Sequence, residues 1–142
     1  GVPALAAAET IGAFALTESG AGSDAAAMRT AVAGDGNGYV LNGSKLFTTN
    51  AVEASVFVVL ATHDRNLRAK GISALVVERD ADGFTINPQH GKMGMRASST
   101  AEVVFDNCPV PGENRLGDEG DGLPPPTHVP HARRVRISAR AG

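Results

Sequence analysis

Three short segments of this 142-residue chain carry side chains that could do chemistry. The first, Gly20-Ala-Gly-Ser23, can curl its backbone so that successive N–H groups and a hydroxyl point at an anion such as a pyrophosphate. It lacks the Gly-Lys-Ser/Thr ending of a P-loop and the full dinucleotide-binding spacing, and taken alone it also reads as a flexible turn. The second, Leu46-Phe-Thr-Thr-Asn50, places an aromatic ring before two hydroxyls at a strand end. Such a ring can pack on a flat heterocycle while a hydroxyl or amide bonds its edge, although Phe and Thr are also ordinary strand residues. The third, Lys92-Met-Gly-Met-Arg-Ala-Ser-Ser-Thr100, reads on composition as a polar loop ahead of a strand.

Other chemistries are excluded by what the chain lacks. Cys108 is its single cysteine, and His63, His90, His128 and His131 are scattered, so neither a disulfide scaffold nor a zinc module is expected, and no metal site. No apolar run approaches the roughly 18 residues that span a bilayer, and Gly1-Val2-Pro3 is not the start of a signal peptide, so no membrane partner is expected. The first 122 residues hold nine basic and fifteen acidic side chains, an acidic body that argues against nucleic acid as a partner. The last twenty hold four arginines and no acid.

The elements that must position these segments read as β. Residues 3–9 have helix-forming composition with Pro3 near their start, and they suggest the end of a helix. Short apolar or alternating runs then follow at Met28 to Ala33, Tyr39 to Leu41, Leu46 to Thr49, Ser55 to Ala61, Ile72 to Glu78, Phe84 to Ile86 and Ala101 to Phe105. Gly34-Asp-Gly-Asn-Gly38 predicts one hairpin turn, and Asn42-Gly43 a second of type I′. Six or seven short strands with turn punctuation predict a mainly β fold, a small antiparallel β-barrel or sandwich. The absence of strand-helix-strand alternation argues against a Rossmann domain.

In order and spacing, these segments resemble the acyl-CoA dehydrogenase family. The matching blocks are Gly12-Ala-Phe-Ala-Leu-Thr-Glu-Ser-Gly-Ala-Gly-Ser-Asp24, with Ser19 where proline is common, and Tyr39-Val-Leu-Asn-Gly-Ser-Lys-Leu-Phe-Thr-Thr-Asn50. Gly71 to Glu78, Lys92 to Ser98 and Val103 to Asn114 complete them, so that the resemblance runs over about residues 3–122. Asn50-Ala-Val-Glu-Ala-Ser55 departs from it, standing where a Gly-rich turn is usual.

The resemblance implies a division into residues 1–10, the end of an N-terminal helical domain; 11–122, a middle β-barrel domain; and 123–142, a Pro/Arg-rich tail expected to be disordered or frameshifted. It implies FAD as cofactor. Phe14, Leu16 and Thr17 would border the flavin, Gly22 and Ser23 its pyrophosphate region, and Phe47, Thr48 and Thr49 its ring face and edge. Ser23 and Ser98 would contact the acyl-CoA substrate. The implied reaction is α,β-dehydrogenation of an acyl-CoA thioester, with electron-transfer flavoprotein as acceptor and a dimer or tetramer as the assembly. The catalytic glutamate belongs to a C-terminal helical domain, so no catalytic residue is assigned here, and this segment alone is expected to be inactive. A cytoplasmic placement is favoured over a mitochondrial matrix one. A non-catalytic flavin-binding remnant, an interaction module and a fragment of an acyl-CoA oxidase are the alternatives.

Overall fold

The computed structural model describes residue 7 and residues 9–123. The predicted helix at residues 3–9 and the Pro/Arg-rich tail fall almost wholly outside them. The described residues form eight strands: β1 (Gly12–Ala15), β2 (Ala31–Gly34), β3 (Gly38–Thr49), β4 (Val56–Thr62), β5 (Ile72–Glu78), β6 (Phe84–Pro88), β7 (Thr100–Pro111) and β8 (Arg115–Leu116). They make one sheet in the order β6-β7-β3-β2-β4-β5-β8, with β1 paired to β4 off that path. The fold is mainly β, as expected, and the sheet is not closed: β6 and β8 are its edges.

Most pairings are antiparallel, but β4 runs parallel to two strands, meeting β1 along Gly12–Ala15 and β2 only at Ala31↔Thr62. Strands β1 and β2 thus lie end to end beside β4. The chain between them, residues 16–30, must leave the sheet and return to it. That excursion holds the Gly20–Ser23 segment and a short 3₁₀ turn at Ala25–Ala27.

The first predicted hairpin is present. Strands β2 and β3 pair across residues 34–38, where Asp35 N–H donates to the Gly38 carbonyl at 3.2 Å. The second is not. Asn42 and Gly43 lie inside the unbroken strand β3, because both halves of β3 pair with β7, from Gly38↔Pro111 to Thr49↔Thr100, and that ladder outweighs the local turn preference of the dipeptide. The run predicted to begin at Met28 starts as a strand only at Ala31, since Met28 closes the 3₁₀ turn.

Two irregularities shape β3 and β7. Between Leu41↔Cys108 and Gly43↔Phe105, Asp106 and Asn107 oppose the single residue Asn42, whose Oδ1 accepts the Asn107 N–H at 2.8 Å. Between Lys45↔Val103 and Thr48↔Ala101, Leu46 and Phe47 oppose the single residue Glu102. Each is a β-bulge, which bends the strand and re-aims the extra side chain.

Both faces of the β4–β5 pair are covered, which is why these strands read as continuous apolar runs rather than alternating ones. Phe57, Val59, Leu75 and Val77 join the larger core with Val103 and Phe105, while Leu60, Ile72 and Ala74 join a smaller one with Ala21 and Met28. Phe84 lies edge-on to Phe57 at 4.7 Å and stacks on Phe105 at 5.2 Å, seating β6 on the larger core.

Candidate functional site

A cleft of about 340 Å³ opens between β1 and the C-terminal half of β3. Its lining is Gly12, Ala13, Phe14, Leu16 and Thr17 from one side and Leu46, Phe47, Thr49 and Asn50 from the other. Five residues singled out from the sequence, Phe14, Leu16, Thr17, Phe47 and Thr49, are therefore brought together.

Local structure explains their aim. On β1 the pleat alternates, so Ala13 and Ala15 enter the core while Phe14 faces out, 47% exposed. On β3 the bulge after Lys45 breaks the alternation, and Phe47, at φ +55°, projects into the cleft with 61% of its surface exposed. A phenylalanine in the left-handed region costs about 1–2 kcal/mol, a conformation that persists only when surrounding pairing enforces it. Here the enforcing contacts are the β7 ladder on both sides of the bulge and the Leu46 N–H, which donates to the Thr17 carbonyl at 2.7 Å. That last bond ties the two walls of the cleft together.

The remaining candidates sit elsewhere. Thr48 is buried with its hydroxyl unpartnered, on the opposite face of β3 from Phe47 and Thr49, and does not line the cleft. Gly22 and Ser23 are exposed on the excursion between β1 and β2. Ser98 is half-buried in the loop before β7, in a turn closed by its N–H on the Met95 carbonyl at 3.1 Å. Lys92 holds that loop from within, donating to the carbonyls of Met95 and Ser98 and to Thr100 Oγ1. The loop is tied to the cleft as well. Asn50 donates its N–H to the Ser99 carbonyl at 3.1 Å, and the Ser99 hydroxyl donates to Glu53. The turn Asn50–Ala54 is stapled by Arg79, whose Nη1 donates to the carbonyls of Ala51, Val52 and Ala54.

Two residues behind the cleft escaped the sequence reading. Lys45 is fully buried, and its Nζ donates to Glu18 Oε1 at 2.7 Å and to the Leu16 carbonyl at 3.2 Å. The Glu18 carboxylate accepts the Arg29 N–H at 2.6 Å and the Thr30 N–H at 2.9 Å. Burial pushes the Glu18 carboxyl up, but Lys45, Thr30 and Arg29 together outweigh it and hold it below its ordinary value. Burial also pulls the Lys45 ammonium down, and Glu18 offsets part of that. The available signal was a lysine on the inward parity of a strand, two and four residues from Gly43 and Leu41, a placement that demands an anionic partner.

The cleft lining holds no titratable side chain. It offers two aromatic rings, a leucine pair, two hydroxyls and an amide, a donor set suited to a flat, polar-edged heterocycle rather than to proton transfer. Among the described residues no group of three or more His, Cys, Asp or Glu could hold a metal ion, and no helix is long and apolar enough to cross a membrane.

Comparison with known proteins gives the cleft its context. The acyl-CoA dehydrogenase middle domain matches residues 13–108. A short-chain specific acyl-CoA dehydrogenase of Clostridium acetobutylicum is 45% identical over 137 residues, 96% of this chain and 36% of its own length. The butyryl-CoA dehydrogenase structure of Megasphaera elsdenii is 42% identical with a TM-score of 0.81, covering 84% of this chain and 31% of that one. A glutaryl-CoA dehydrogenase of Mycobacterium smegmatis, solved in complex with FADH2, is 42% identical with a TM-score of 0.77 over 86% of this chain and 30% of its own. The chain thus spans about a third of the length of the curated relatives it matches. With the match running from β1 into β7 and taking in both walls of the cleft, the chain belongs to the acyl-CoA dehydrogenase family, and its sheet is that family's middle domain.

Proposed function

We propose that this chain is the FAD- and acyl-CoA-binding segment of an enzyme that carries out flavin-dependent α,β-dehydrogenation of an acyl-CoA thioester. The observation that carries this reading is the cleft itself, where Phe14, Leu16, Thr17, Phe47 and Thr49 converge from two strands. The residues fit the group: exposed rings offer a stacking face, and the two threonine hydroxyls offer donors to its edge.

When bound, FAD supplies a hydride acceptor for the β-carbon of the substrate. Thr17 would hydrogen-bond the pyrimidine side of the ring and Thr49 its other edge. Donors fixed before the reaction stabilise the charge that develops there, at a few kcal/mol for each well-placed bond. Phe14, Leu16 and Phe47 would orient the ring. Gly22 and Ser23 would contact the pyrophosphate region, and Ser23 and Ser98 the acyl-CoA arm. No carboxylate lines the cleft, and Glu18 is committed to Lys45, so removal of the substrate's α-proton is assigned to no residue of this chain. In the whole enzyme, electron-transfer flavoprotein would be the electron acceptor and a dimer or tetramer the assembly.

The test is an FAD titration of the protein followed by flavin fluorescence and visible absorbance. We expect saturable binding, weakened about tenfold, the equivalent of about 1.4 kcal/mol, in Thr17→Val and in Phe47→Ala. Unchanged affinity in both variants would contradict the assignment of the cleft.

A further inference from the structure

Glu18 and Lys45 each stand next in sequence to a wall of the cleft: Leu16 and Thr17 precede Glu18, and Leu46 and Phe47 follow Lys45. Their ion pair ties the excursion between β1 and β2 to β3 at a point beyond the β2–β3 ladder, whose last register pair is Ala31↔Asn42. The Glu18 oxygens take the N–H groups of Arg29 and Thr30 at the entry to β2, and Lys45 Nζ, on β3, reaches Oε1 of Glu18 and the Leu16 carbonyl just after β1. The Leu46–Thr17 hydrogen bond, 2.7 Å long, lies one residue away from the pair along both stretches of chain.

We infer that Glu18 and Lys45 are positioning residues, a buried clamp whose work is to fix Thr17 against Phe47 rather than to hold up the fold. The inference rests on the flavin reading for its functional meaning, but its structural content stands apart from any ligand. Replacing a buried ion pair by shape-matched uncharged residues is often neutral for stability, which leaves the pair available for a role in local geometry. Met28, whose Sδ lies 3.7 Å from Lys45 Nζ, packs with Leu60 and Ile72, so an apolar side chain at position 45 meets apolar neighbours.

Two measurements test this. In the wild-type protein without FAD, amide hydrogen exchange should show the Leu46 N–H as protected as those of Val59 and Val77 in the β4–β5 ladder. Exchange about 100-fold faster at Leu46 than at those positions would overturn the clamp. In the double variant Glu18→Gln/Lys45→Met, the thermal melt should stay cooperative and close to that of the wild type, while Leu46 protection falls about tenfold or more and Val59 and Val77 are unchanged. FAD affinity should fall by about the same factor. Wild-type protection at Leu46 in the double variant would overturn the proposal, and so would loss of a cooperative melt, which would make the pair a support of the whole fold. Failure of the wild-type protein to take up FAD would sink the flavin reading alone, because the exchange data decide the clamp without it.

Discussion

The Nζ of Lys45 lies 2.7 Å from Oε1 of Glu18, with 0% of the lysine side chain and 8% of the glutamate side chain exposed. A pair so enclosed is costly to break from one side, because the surviving charge keeps its burial and loses its partner. We expect Lys45→Met or Glu18→Gln alone to destabilise the protein by about 3–5 kcal/mol, and the double replacement to recover most of that loss. Urea unfolding of the four proteins measures the coupling directly.

The same pair sets a dependence on pH. Because Glu18 is held below its ordinary value in the folded state, its contribution is fully present above the unfolded-state value and is lost as pH falls through the lowered one. Lys45 is also held below its ordinary value, so the unfolded chain binds that proton more tightly, and stability rises with pH through the alkaline window between its two values. Melting temperatures recorded across both ranges should show these two slopes in the wild type. Lys45→Met should remove the alkaline one, and Glu18→Gln should flatten the acid one.

Phe47 offers a trade between stability and binding. Its φ of +55° suits glycine, and its ring is mostly exposed, so little burial is lost on removing it. Relief of about 1–2 kcal/mol of left-handed strain, less the entropy cost of glycine of about 0.5–1 kcal/mol, leaves Phe47→Gly about 0–1.5 kcal/mol more stable than the wild type. FAD affinity should fall in the same variant. A denaturant melt and a flavin titration on one sample check both halves.

Gly43 is a position where a side chain cannot be added. At φ +143°, a Cβ there would stand 2.7 Å from the Thr30 Cα, next to the Thr30 N–H that binds Glu18. Gly43→Ala should cost about 1–3 kcal/mol by overpacking, and a melt shows it. Gly36, also at positive φ but with open space around it, should tolerate alanine better.

Much of this architecture is legible in the sequence where one local cause dominates. Strand β5 was predicted at Ile72 to Glu78 and lies there, because a run buried on both faces has few other homes. The Asn42-Gly43 dipeptide misled because its turn preference is local, whereas its place in β3 is set by a strand more than sixty residues away. At the site, the resemblance drew attention to Phe14, Thr17, Phe47 and Thr49, and the sheet gathers them. Thr48 differs from its neighbours in orientation because the bulge after Lys45 decides which face each side chain takes, and a bulge leaves no mark in composition. The Glu18–Lys45 pair was hidden for a related reason: its partners are 27 residues apart, and only the excursion between β1 and β2 brings them together.

FAD binding in the cleft between β1 and β3 is read out by an amide shift map of the ¹⁵N-labelled protein titrated with FAD. We expect the largest shifts at Thr17, Phe47, Thr49 and Asn50, with Asp35, Gly36 and Asn37, in the turn at the opposite end of β3, unmoved. Shifts centred outside the cleft, or none at saturating FAD, would contradict the claim.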